Sequence, residues 1–156
     1  MAIRPKELPE TIENWAEADW QGHQKSIVKT KSGHTLIVDE PRSIGGTDEG
    51  TSPMGYLFTA MAGCTAVIVE RVAKGLGIEI QAMKVKASGI YSPRGIAGQE
   101  GYESAPSQFN YEVTLKTAAS DAQIEELKDG YFKRCPVYNL CRKSGAEIIE
   151  NWTIER

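Results

Sequence analysis

The chain has 156 residues, 40% of them hydrophobic and 25% charged, with a formal net charge of −3. That length and balance fit a single soluble domain, 1–156, large enough to bury a core without staples. The acidic balance, with no Lys/Arg cluster to override it, argues against a nucleic-acid surface, and three cysteines are too few for a disulfide framework.

In chain order, residues 1–20 read as a polar N-terminal lead-in with Trp15 and Trp20 as candidate anchors. Met1-Ala2-Ile3-Arg4-Pro5-Lys6-Glu7 lacks the apolar region of a secretory signal, so a cytoplasmic protein with reduced thiols is expected. Two strand-like runs follow, 24–30 and 34–39, joined by Lys31-Ser32-Gly33. Ile27, Val28, Leu36, Ile37 and Val38 supply strand-forming content and Ser32-Gly33 the turn, which predicts a β-hairpin. Residues 41–50 form a loop, with Gly45-Gly46 for backbone freedom and Asp48-Glu49 as acidic punctuation.

Thr51 or Ser52 as N-cap, Pro53 at the first helical position and Gly77 past the end predict a helix over 53–76. Its first four turns carry no charge on any face, so other elements must wrap it, and it belongs at the centre of the fold. The uncharged stretch, 54–69, has 16 residues. A bilayer span needs roughly 20, so no membrane association is expected.

From Ile78 the period changes to two, through Ile80, Ala82, Val85, Ala87 and Gly89, predicting a strand to Tyr91. A second strand, 108–116, places Phe109, Tyr111, Val113 and Leu115 on one face. Between them, 92–107 is a Gly/Pro/Ser-rich connection whose length makes it mobile or functional. Ser120 caps a helix from 121 to about 133 with Ile124, Leu127 and Tyr131 inward, weakened by Gly130. A short helix over 136–144 and a strand over 146–155 complete the order β-β-α-β-β-α-α-β. This is an α+β domain with a largely antiparallel sheet.

Two cysteines stand in unlike settings. Cys64 lies among Ala60, Met61, Val67 and Ile68 of the apolar helix, where burial alone would raise its pKa and leave it a small inert hydrophobe. Cys135 precedes Pro136 at a helix start, where unpaired N–H groups favour a thiolate; the competing reading is a proline that only begins a short helix beside an incidental cysteine. Cys141 reads as a packing residue. Three cysteines with His23 and His34 far upstream do not supply the four ligands of a zinc site, so no metal and no cofactor are expected.

A resemblance sharpens this reading. It rests on Gly45-Gly46-Thr47-Asp48-Glu49-Gly50-Thr51-Ser52-Pro53, continued through the apolar helix to Gly63-Cys64-Thr65, with Cys135-Pro136-Val137 placed 71 residues after Cys64. On these residues the chain resembles the OsmC/Ohr superfamily of osmotically inducible and organic-hydroperoxide-resistance proteins. The resemblance implies an intertwined homodimer, with two long central helices wrapped by antiparallel sheets and active sites at the subunit interface. It also implies that Cys64 attacks a peroxide to become a sulfenic acid, that Cys135 resolves it as a Cys64–Cys135 disulfide, and that a dithiol reductant reopens it.

Hydroperoxidases of the superfamily carry a glutamate after the helix-starting proline, where this chain has Met54, and an arginine in the first hairpin, aligned with His23. His23 and Arg42 are therefore the candidate thiolate-stabilising groups, with Lys25 and Arg94 as further cations. Met54, Leu57, Phe58 and Met61 would line an apolar pocket. The leading expectation is a thiol-dependent peroxidase acting on organic or lipid-type hydroperoxides in oxidative-stress defence. The competing expectations are a non-catalytic binding module or a redox sensor using the same pocket.

Overall fold

The computed structural model describes residues 8–156, so the first seven residues of the lead-in lie outside it. The chain divides into two compact units, one running through Pro53 and one spanning Met54–Arg156.

The first unit is a three-stranded antiparallel sheet in the order β1 (Ala16–Gly22), β2 (Lys25–Thr30), β3 (Thr35–Val38). The β2–β3 hairpin is where the sequence places it, turning on Gly33 at φ 87°. β1 replaces the last part of the expected lead-in. Its Ala-Glu-Ala-Asp-Trp-Gln-Gly sequence has too little apolar content to read as a strand, and backbone pairing with β2 holds it instead. Trp15 and Trp20 are 49% and 76% exposed, so within the chain they do not act as anchors.

The second unit begins with α1 (Pro53–Leu76), which matches the expected 24-residue helix and closes on Gly77 at φ 69°. Its sheet has the order β4 (Ala82–Ile90), β5 (Gln108–Lys116), β6 (Glu147–Glu155). β4 starts four residues later than the period of two suggests, because the Ile78 N–H still bonds the Ala73 carbonyl (2.9 Å) in closing α1. β4 and β5 run antiparallel, but β5 and β6 run parallel. Among the described strands three of the four pairs are antiparallel, as expected of a largely antiparallel sheet, and β5–β6 is the exception. Two helices, α3 (Asp121–Arg134) and α4 (Pro136–Lys143), lie between β5 and β6, and such a crossover carries the chain back to the end of the sheet at which β5 began.

The 92–107 connection contains a short helix, α2 (Pro93–Ile96), capped by Ser92. Arg94 lies over the Tyr102 ring at 5.1 Å and donates to its hydroxyl at 2.5 Å. Ser120 and Gln123 form a reciprocal capping box at the start of α3.

The core forms where the inward face of β5 (Phe109, Tyr111, Val113, Leu115) meets Ile124, Leu127 and Tyr131 of α3 and Met61, Val69 and Val72 of α1. The buried positions of α1 recur at 61, 65, 69, 72 and 73, a single helical stripe. Ala60, Gly63 and Val67 on the same uncharged stretch are exposed. By length and composition alone α1 could cross a membrane, yet only 28% of its most apolar window is buried within the chain.

Gly130 is a requirement of packing rather than a flaw in α3. A Cβ there would stand 2.6 Å from Cγ1 of Val72, a stiff β-branched side chain only 2% exposed, so the side chain or the helices must shift. Overpacking of this kind costs about 1–3 kcal/mol, against the roughly 1 kcal/mol that alanine gains over glycine in a helix. Gly130→Ala is expected to lower the urea midpoint at fixed chain concentration. A raised midpoint would show that α1 and α3 can separate at no cost.

Candidate active site

Cys64 lies near the middle of α1, and Cys135 is the single residue between α3 and α4. Cys135 closes one helix and opens the next. Its N–H bonds the Tyr131 carbonyl at 2.9 Å, while its Sγ accepts from the Tyr138 N–H at 3.5 Å, with Pro136 at the first position of α4. This geometry brings the two sulfurs together across 71 residues of sequence. The Cys135 thiol donates to Cys64 Sγ at 3.4 Å.

A buried hydrogen bond fixes that approach. The Thr65 hydroxyl donates to the Met61 carbonyl of its own helix (2.8 Å), so the Tyr131 hydroxyl, 3.0 Å away, donates to Thr65 Oγ1. Thr65 adjoins Cys64, and Tyr131 precedes Cys135 by one helical turn. Rings of Phe132, Tyr138 and Trp152 surround Tyr131 with centroids 5.3–5.6 Å away. In this apolar setting burial holds the Tyr131 and Tyr138 phenols well above their ordinary range, so both remain neutral donors. The Tyr138 hydroxyl donates to the Glu150 carboxylate.

The electrostatics of Cys135 correct the expectation that its helix start favours the thiolate. Burial pushes its thiol up to about 11; the Tyr138 N–H pulls against that shift, and the contact with Cys64 adds to it. Cys135 has no exposed surface. Desolvation outweighs the Tyr138 and Val137 N–H groups of the helix start, and Cys135 is a neutral thiol at physiological pH. Cys64 is half-buried and receives the hydrogen bond. The pair is therefore polarised, with a protonated buried sulfur facing a more accessible one. A bonded pair needs a separation near 2.05 Å, so closure requires a shift of about 1.4 Å.

Cys141 packs in the core at 3% exposure, the role expected for it. Of the four pocket candidates, Met54 is half-buried, and Leu57 and Phe58 pack against the core, with Phe58 6.5 Å from the Tyr91 ring. Met61 does not line an open pocket in the chain. It has no exposure, because it shares the inward stripe with Thr65 and Val69.

His23 and Arg42 lie in the first unit. His23 occupies the β1–β2 turn at φ 50° and is exposed. The exposed Arg42 donates through Nε to the Thr47 carbonyl at 3.2 Å. Lys25 pairs with Glu49 at 2.5 Å, an ion pair between the hairpin and the loop that sequence reasoning did not anticipate. Asp39 organises that loop. It has no exposure and accepts from the Glu40 N–H (2.8 Å), the Thr47 N–H (3.1 Å), the Thr47 hydroxyl (2.5 Å) and the Glu49 N–H (3.1 Å). Within the same turn a Cβ at Gly46 would fall 1.7 Å from the Glu40 carbonyl oxygen, so no other residue fits there.

Residues 46–151 match the model of a family described as OsmC-like protein. The chain belongs to the OsmC-like family. It is 22% identical over 143 residues to YmaD, an uncharacterized protein of Bacillus subtilis, a match covering 90% of this chain and 85% of that one. Its fold superposes on an OsmC-like protein from Mycoplasma pneumoniae with a TM-score of 0.79, at 20% identity over 93% of this chain and 99% of that one. An organic hydroperoxide resistance protein from Legionella pneumophila gives 0.64 at 18% identity, covering 95% and 100% of the two chains. The OsmC-like match opens at Gly46, inside the loop that Asp39 holds.

That loop carries a pH signature. Hydrogen bonds, the Thr47 hydroxyl first, hold the Asp39 carboxyl well below the usual carboxylate range. A depressed folded-state pKa contributes stability that is present above the unfolded value and lost as pH falls through the folded one. Asp39→Asn is expected to speed amide exchange at Thr47 and Glu49 at neutral pH. It should also flatten the fall in stability below the ordinary carboxylate range. Unchanged exchange at both amides would contradict this role for Asp39.

Proposed function

We propose that this OsmC-like protein is a thiol-dependent peroxidase for organic hydroperoxides. The observation that carries the reading is the 3.4 Å contact in which the Cys135 thiol donates to Cys64. Cys64, as thiolate, attacks the terminal peroxide oxygen. The O–O bond breaks, the alkoxide leaves and takes a proton as alcohol, and Cys64 becomes a sulfenic acid. The Cys135 sulfur then attacks the Cys64 sulfur. Its proton goes to the departing hydroxyl, water leaves, and a disulfide forms. A dithiol reductant reopens it by two exchange steps and becomes a disulfide itself.

The roles follow from accessibility. Peroxide must reach the more exposed sulfur, and the fully buried Cys135 suits a resolving group with a short reach. A reducing compartment such as the cytoplasm would supply the dithiol. The Legionella pneumophila protein named for organic hydroperoxide resistance shares the fold, which agrees with the reading.

A binding-module reading has one observation in its favour. Met54 stands where the hydroperoxidases of the superfamily carry glutamate, Lys25 is paired with Glu49, and Arg42 donates to the Thr47 carbonyl. Met54, Leu57 and Phe58 are the proposed apolar contacts for substrate.

The test is loss of cumene hydroperoxide with dithiothreitol as reductant, alongside intact mass. Cys64→Ser is expected to abolish consumption, because a hydroxyl forms no sulfenic acid. Cys135→Ser should consume about one equivalent and stall as the Cys64 sulfenic acid, and Cys141→Ser should change little. If turnover survives Cys64→Ser and peroxide yields no Cys64–Cys135 disulfide, the binding-module reading replaces the peroxidase.

The assembly proposed is a homodimer. Ala60, Gly63 and Val67 of α1 are exposed, and Glu70, Arg71 and Lys74 follow on exposed positions of the next turns. A bilayer would have to take up those charges, whereas a second copy covers the apolar part and leaves them at its rim. Analytical ultracentrifugation at micromolar concentration is expected to show a dimer. A folded monomer there would overturn the assembly.

A further inference from the structure

A cavity of about 570 Å³ opens in the elbow between α3 and α4, lined by Phe132, Lys133, Tyr138, Asn139, Arg142 and Lys143. It lies on the second unit and involves neither Cys64 nor the apolar stretch of α1. The volume falls in the range of small-molecule sites. Three of its six lining residues are cations and none is acidic. Among the described residues, none of the three cations has a hydrogen-bond or ion-pair partner.

Helix C-termini attract cations, and these residues do occupy the last turns of α3 and α4. The helix dipoles explain their presence at two ends. They do not explain convergence on one concavity without a carboxylate, in a protein of net charge −3. The nearby Glu150 carboxylate accepts from the Tyr138 hydroxyl and does not line the cavity.

The remaining wall is aromatic. The Phe132 and Tyr138 rings meet at 5.2 Å with 33° between their planes, which gives a broad apolar surface beside the charges. Asn139 is fixed in place, its amide nitrogen donating to the Phe132 and Cys135 carbonyls at 2.9 Å each. The wall is thus set before any ligand arrives.

We propose that this cavity is a binding site for a soluble phosphate monoester with an aromatic or other flat apolar body. A guanidinium fork takes two phosphate oxygens at once, and two flanking ammonium groups complete the neutralisation of a dianion. A monocarboxylate would leave most of the positive charge unmatched. The apolar body lies against Phe132 and Tyr138. Because Asn139 links the wall to the Cys135 carbonyl, the ligand also braces the joint that carries the resolving cysteine. The site itself stands apart from the peroxidase reading, since binding is measurable without turnover.

The experiment is calorimetric titration of the full chain at low ionic strength with phenyl phosphate, inorganic phosphate and phenol. Phenyl phosphate is expected to bind saturably and more tightly than inorganic phosphate, with phenol showing no saturation. Arg142→Gln with Lys143→Gln should weaken phenyl phosphate by about tenfold or more. Lys84→Gln, an exposed cation on β4, should leave the affinity unchanged. Amide shifts on titration should centre on residues 132–143, in the wild type and equally in Cys64→Ser. The site is overturned by absence of saturable binding, by affinity no better than inorganic phosphate, or by equal weakening in Lys84→Gln. Retention only on vesicles containing phosphatidic acid would overturn it in favour of a lipid headgroup.

Discussion

The hydrogen bond from Tyr131 to Thr65 ties the last turns of α3 to the middle of α1, and the spacing of the two sulfurs depends on it. Both hydroxyls are buried, so neither has water to fall back on, and leaving either unpaired would cost about 1–3 kcal/mol. Thr65 is constrained further because its own proton is committed to the Met61 carbonyl. The bond therefore has one direction only, phenol to threonine. Cys64 and Cys135 lie one residue and one turn from its two ends, so their contact follows from the placement of the helices. Gly130 serves the same approach from the other side, since a larger residue would push α3 away from Val72.

The polarity of the sulfur pair comes from competition between two effects on Cys135. A helix start and a backbone N–H favour its thiolate, and loss of solvent opposes it. Burial prevails because the N–H contact is long, at 3.5 Å, and because the nearest groups are neutral phenols and another sulfur. The proton stays on Cys135 and points to Cys64. An arrangement designed only to ionise both sulfurs would set like charges 3.4 Å apart.

Much of this was legible in the sequence where a local rule acts alone. Pro53, the uncharged turns after it and Gly77 define α1, and the alternation of Phe109, Tyr111, Val113 and Leu115 defines the inward face of β5. Strand β1 was hidden because backbone bonds hold it rather than apolar side chains. The parallel β5–β6 pair was hidden because strand direction is a property of the crossover, and β6 has the same alternation in either sense. At the site, both cysteines and the capping role of Cys135 could be read from Pro136 and the apolar helix. The burial of Cys135 could not, since Arg134 and Lys133 beside it suggest an exposed helix end. Tyr131 read as one more residue of an apolar stripe; its hydroxyl and its spacing of four from Cys135 were the available signal.

Position 135 asks three separate things of its occupant: a backbone that ends one helix and begins another, a side-chain acceptor for the Tyr138 N–H, and a thiol. Serine meets the first two and is among the best residues at a helix N-cap. An exchange of sulfur for oxygen would leave the elbow, the aromatic cluster and the Thr65 bond standing while removing the proposed redox step. In evolutionary terms, the proposed catalysis could be lost without selection against a misfolded chain. A lineage with this architecture is free to drift from turnover to binding by a single-atom change, and fold alone would not betray which members had done so.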